Sequence, residues 1–173
     1  MIVVAIVGVL SALAIYGVRK YLINSKTAEV RNALGQMAKD AEAAYERETM
    51  PGAVLEAGKS AAVSNNLCTS ASSPVPADKD SIKGKKYQSK AAEWSVDLKE
   101  IGKGFGCLRF SLSDPQYYMY SYTGEAGAAG TFTARGQGDL NGDGNLSDFS
   151  LSGQLKNGVV MVTPNFTEVN PEE

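Results

Sequence analysis

Met1 to Tyr16 reads MIVVAIVGVLSALAIY, a run without a charge and with only Ser11 and Tyr16 carrying side-chain polar atoms. The apolar character continues to Val18 and stops at Arg19 and Lys20. As a helix, at about 1.5 Å per residue, it would measure roughly 27 Å, close to a bilayer core of about 30 Å. A helix that is apolar on every side must be buried in lipid or in other protein. A secretory signal peptide would have a positive head and a shorter core ending at a cleavage site. This run has no positive residue ahead of it, and the helical pattern continues beyond it.

From Arg19 the chain turns amphipathic. Val30, Leu34, Met37, Ala41 and Ala44 recur at spacings of four, three, four and three, a narrow seam suited to packing on a neighbour. Lys26, Glu29, Arg31, Lys39, Glu42, Glu46 and Glu48 fall elsewhere around the helix. One helix from Met1 to about Glu48 would be roughly 70 Å long. Met50-Pro51-Gly52 supplies its stop, because proline disfavours helix at the residue before it.

The remainder divides by composition. Residues 51–104 read as an irregular loop rich in Ala, Ser, Asn and Pro, with Ser72-Ser73-Pro74-Val75-Pro76 as its clearest turn signal. Lys79, Lys83, Lys85, Lys86 and Lys90 cluster within it. Interrupted by Asp78 and Asp80 and supported by only Tyr87, the cluster reads as a solvated loop and not as a nucleic-acid surface. Residues 105–173 read as β-structure: strands at 105–112, 116–123, 131–134, 149–151 and 159–162, separated by glycine, asparagine and proline turns. The expected fold is α+β. A long N-terminal helix, apolar over 1–18 and amphipathic over 19–50, packs on an antiparallel sheet of about four strands, with Trp94, Phe105, Leu108, Phe110 and the tyrosines in the core.

Chemistry-bearing residues are few. The chain has no histidine and a formal charge of −2 over 173 residues. The commonest general base and transition-metal ligand is therefore missing, which points away from an enzyme, and the net charge offers nothing to a polyanion. Cys68 and Cys107 suit a disulfide if this part is exported and two buried thiols if it is not. Asp139, Asn141, Asp143 and Asn145 place oxygens at alternate positions with Gly144 after the third, like the first half of a calcium loop. The twelfth position is Ser150 where a bidentate acid is expected, and the nearest acid is Asp148. A calcium-stiffened turn between strands and a plain glycine hairpin are both open.

The first 35 residues, MIVVAIVGVLSALAIYGVRKYLINSKTAEVRNAL, resemble the N-terminal helix of type IV pilins and of the related type II secretion pseudopilins. The later chain is similar to that family only in layout: loop, antiparallel sheet and a disulfide-bearing C-terminal region. The resemblance implies an inner-membrane subunit, processed by a prepilin peptidase and polymerised by pilus or secretion assembly machinery. The product would be a helical homo-oligomeric filament on the cell surface, or a periplasmic pseudopilus. Met1, Ile2, Val3, Val4, Ile6, Val7, Val9, Leu10, Leu13 and Ile15 would form the membrane segment and then the filament core. The resemblance also implies an aromatic residue and a glutamate upstream of Met1. Tyr16-Gly17 stand where many pilins have a proline. The competing expectation is a periplasmic binding or enzymatic domain held by an N-terminal signal anchor.

Overall fold

In a computed structural model of the chain, residues 1–47, 57–58, 60, 65–127 and 130–173 are described. Helix α1 spans Ile2–Glu46, 45 residues without interruption, and Arg47 leaves it with an extended backbone. Glu48 and Met50-Pro51-Gly52, the expected end and stop, lie outside the described residues. The seam is where the spacing puts it. Val30, Leu34, Met37, Ala41 and Ala44 are buried, joined by Thr27, Ala33 and Ala38.

The seam packs on one five-stranded antiparallel sheet. Its strands are β1 (Tyr118–Gly124), β2 (Thr131–Gly138), β3 (Ser147–Lys156), β4 (Val159–Val162) and β5 (Thr167–Val169). The order is β1-β2-β3-β4, and β5 also pairs with β3. Because β2 occupies one side of β3, the two short strands share the other: β4 along Gly153–Lys156 and β5 along Asp148–Ser150. The period-2 alternation of a half-buried strand turns Tyr118, Tyr120 and Tyr122 of β1 inward, beside Phe132 and Ala134 of β2 and Phe149 and Leu151 of β3.

Two glycines of β2 permit close approaches, one to the helix layer and one within the sheet. A Cβ on Gly136 would run into Val30 of α1, and one on Gly138 would meet the Tyr118 ring. These glycines carry β2 past the expected 131–134 to Gly138. Arg135-Gly-Gln-Gly138, beyond the expected end of the strand, is strand as well, because the bare backbone leaves room for the helix and for that ring.

The segment 105–112 corrects the sequence reading. It is not a strand: Gly104–Leu108 form the short helix α3, ended by Arg109 in the left-handed conformation (φ 62). Phe105 and Leu108 stand three apart, so one helical turn buries both. Alternation over a few residues could not separate the two readings. Trp94, in the single-turn helix α2 (Ala91–Trp94), meets Phe105 edge-on at 5.0 Å and Phe110 at 5.4 Å, and its indole N–H donates to Ser89 Oγ. Lys79–Ile82 form a 3-10 turn within the stretch read as irregular.

Cys68 and Cys107 are disulfide-bonded, with Cα atoms 5.8 Å apart. The bond ties α3 to the strip that covers the free edge of β1. There Val75 and Tyr120 exchange backbone hydrogen bonds at 2.9 Å, and the amides of Ser70 and Ala71 donate to Gly124 and Tyr122.

Candidate assembly and membrane site

The first half of α1 is bare. Every residue from 1 to 22 is exposed, and the 18-residue apolar window of the helix has no buried residue. By length and composition this helix can cross a membrane. Ten of its large apolar side chains, Met1, Ile2, Val3, Val4, Ile6, Val7, Val9, Leu10, Leu13 and Ile15, are each more than half exposed. At roughly 1.5–3 kcal/mol for a fully exposed side chain, scaled to their exposure, covering all ten is worth on the order of 10–20 kcal/mol. The net stability of a folded domain is only about 5–15 kcal/mol. The drive to cover this surface is therefore as large as what holds a domain together, and an apolar surface of this extent marks a contact with lipid or protein.

Below the bare segment the helix is clamped to the sheet by charge as well as by packing. Arg31 donates through Nε and Nη2 to both carboxylate oxygens of Glu168 on β5, each at 3.1 Å. Lys20 pairs with Glu172 at 3.0 Å, and Glu173 accepts from Asn141. The C-terminal residues thus run back along α1 towards the apolar segment. Glu29 binds β1 with one oxygen, accepting from the Tyr117 amide at 2.9 Å and the Tyr120 hydroxyl at 3.2 Å. Burial pushes its carboxyl above the usual range, against the pull of those two donors and of Lys86.

The expected calcium positions divide between two places. Asp139, Asn141, Asp143 and Asn145 occupy the β2–β3 connection, the turn between strands that the sequence suggested. The loop is closed by its own amides. Buried Asp139 accepts from Gly142 at 2.6 Å and Gly144 at 2.9 Å, Asn141 accepts from the Asp143 amide, and Asp143 from that of Asn145. The Asn145 amide is the main reason the Asp143 carboxyl sits below its ordinary pKa. Gly142 and Gly144 supply the left-handed backbone the turn requires (φ 81 and 98). Asp148 stands apart, on β3, where it accepts from Arg135 Nε and Nη2. Among the described residues, no three Asp, Glu, Cys or His side chains gather as a metal-binding group.

Two depressions flank α1. The larger, about 740 Å³, runs beside it from Glu29 to Asp40 and is walled on the other side by Arg109–Leu112 and Asp114–Gln116. The smaller, about 490 Å³, lies near the disulfide and shares Arg109 with the first. The larger mixes charges of both signs, Glu29, Asp40 and Asp114 with Lys86 and Arg109, and so selects no ligand by charge.

One arrangement near the apolar segment has no signal in the local sequence. Lys26 of α1 and Lys86 of the lysine-rich loop both lie over the Tyr117 ring, at 4.8 and 4.7 Å from its centroid. Nothing in the spacing links Lys26 to residues so far along the chain. Comparison with protein-family models, curated proteins and solved structures finds no match to this chain.

Proposed function

We propose that this protein is the structural subunit of a type IV pilus-like filament, anchored in the inner membrane before assembly and held in the filament by the apolar half of α1. The observation that carries the reading is the division of one uninterrupted helix. Residues 1–18 are apolar on all sides and contact nothing, whereas residues 27–44 bury a narrow seam on the sheet.

A bilayer covers the first half in the single subunit. Copies stacked by a head-to-tail interface that never closes into a ring cover it equally well, and such an interface produces a filament. The remaining features suit a passive building block outside the cell: a disulfide, no histidine, and a sheet whose β1 edge is already covered. The N-terminal resemblance to pilins and pseudopilins supports the same reading. Prepilin peptidase and pilus or secretion machinery would be its processing and assembly partners.

The test is the codons upstream of Met1. A short basic leader ending in glycine, followed by an aromatic residue and a glutamate, is expected. An ordinary start at Met1, or an unrelated domain upstream, would favour a membrane-anchored periplasmic domain instead.

A further inference from the structure

We propose that Lys26 and Lys86, gathered on Tyr117, hold the base of the globular domain against the phosphodiester groups of anionic lipids while the subunit is in the membrane. The inference uses only the anchoring half of the functional reading and does not depend on filament formation.

The contacts place the lysine-rich loop at the membrane end of the domain. Lys20, two residues past the apolar run, pairs with Glu172, and Glu173 accepts from Asn141 in the β2–β3 loop. The Gly84 amide donates to Asp139 of that loop at 2.8 Å. Lys83–Lys86 therefore lie at the same end of the molecule as Lys20, although they are more than sixty residues away in sequence. Lys26 sits about 12 Å beyond Val18 along the helix, whereas the headgroup layer adds roughly 5–8 Å to each side of the hydrocarbon. A lysine whose flexible stem bends towards the membrane spans that difference.

Charge selects the kind of lipid. Of the acidic groups at this end, Glu172 is paired with Lys20, while Glu29, Asp143 and Glu173 are held by neutral donors, Glu29 and Asp143 with Lys86 and Lys83 nearby. Arg19, Lys26, Lys85 and Lys86 form no salt bridge among the described residues. These cations, none held by a salt bridge, sit beside a helix able to enter a bilayer, and a phosphodiester is the negative partner a lipid surface can bring to them. The ring adds position: it holds one lysine from α1 and one from the loop at the same place on the domain, 4.8 and 4.7 Å from its centroid.

The experiment uses the full chain in lipid nanodiscs. The reactivity of each lysine towards an amine-acylating reagent is read by mass spectrometry in pure phosphatidylcholine and in a 7:3 mixture with phosphatidylglycerol. Lys26 and Lys86 are expected to lose reactivity about 5-fold each in the anionic discs, and 0.5 M NaCl is expected to restore it. Lys99 and Lys156, away from the membrane end, serve as references and are expected not to change. Equal changes at all four lysines would overturn the proposal. Equal protection by inorganic phosphate in phosphatidylcholine discs would overturn it too, by showing a general anion site. Chain that fails to co-elute with discs of either composition would overturn the anchoring itself, a different failure from absence of filaments.

Discussion

Replacing both Cys68 and Cys107 by alanine removes a crosslink between residues 39 apart. In the chain-entropy model, a closed loop of that length costs the unfolded chain about 13 cal/mol/K, or about 4 kcal/mol at 25 °C. A typical domain has about 5–15 kcal/mol in total, so the crosslink is a large share of it. The effect should also be local. The bond holds the 65–75 strip, which covers the β1 edge, to α3, which supplies Phe105 and Leu108 to the core. The assay is guanidinium unfolding of the full chain in mild detergent, followed by the fluorescence of Trp94, the only tryptophan. With a slope of about 4 kcal/mol/M, the midpoint should fall by roughly 1 M. The slope itself should rise, because the unlinked chain exposes more surface on unfolding. A midpoint within about 0.2 M of wild type, at unchanged slope, would refute the reasoning and leave the bond without a stabilising role.

Other substitutions separate the two halves of the molecule. Gly124→Ala places a methyl against the Cys68 carbonyl oxygen and should destabilise the domain by about 1–3 kcal/mol in thermal unfolding; Gly8→Ala meets nothing and should leave the melting temperature unchanged. Asp97, buried and accepting from the Ser72 amide at 3.0 Å and its hydroxyl at 2.5 Å, should cost about 1–3 kcal/mol when changed to alanine, measured the same way. The raised pKa of Glu29 has a definite sign. Above pH 4.5 the unfolded carboxyl loses its proton first, so stability falls as pH rises through the folded pKa, and Glu29→Gln should flatten that fall in urea unfolding between pH 4 and 7. Calcium is expected to leave the melting temperature where a chelator leaves it, since among the described residues no three acidic side chains gather to hold the ion. A rise with calcium would show that the loop opens to take the ion.

How much of this was readable from sequence depended on the range of the signal. The seam Val30, Leu34, Met37, Ala41 and Ala44 repeats over four turns, and a pattern that long has one interpretation. The tyrosines of β1 and the aromatic cluster around Trp94 were legible for a similar reason, since large side chains at strand period have to go inside. Phe105–Leu112 was too short to decide, and tertiary contacts decided it: the ring of Trp94 and the bond to Cys68 hold Phe105 and Cys107 on one helical turn. The extent of β2 was not legible because the reason for its glycines, the approach of Val30 and Tyr118, lies in other segments. β5 has three residues and is held by Arg31, more than a hundred positions earlier. Of the candidate site, the apolar segment was visible at once. The pairing of Lys26 with Lys86 was not, because no local pattern joins residues that meet only on a shared ring.

The central claim is that residues 1–18 form a filament core by self-assembly. The direct test is cryo-electron microscopy of appendages sheared from cells that produce the chain, with mass spectrometry to establish that it is present. Helical filaments are expected whose axis is a bundle of the 1–18 helices, apolar side chains inward, with the sheets outside. Recovery of the chain only as an isolated membrane subunit, or filaments with the sheets at the axis and the apolar helices uncovered, would contradict it.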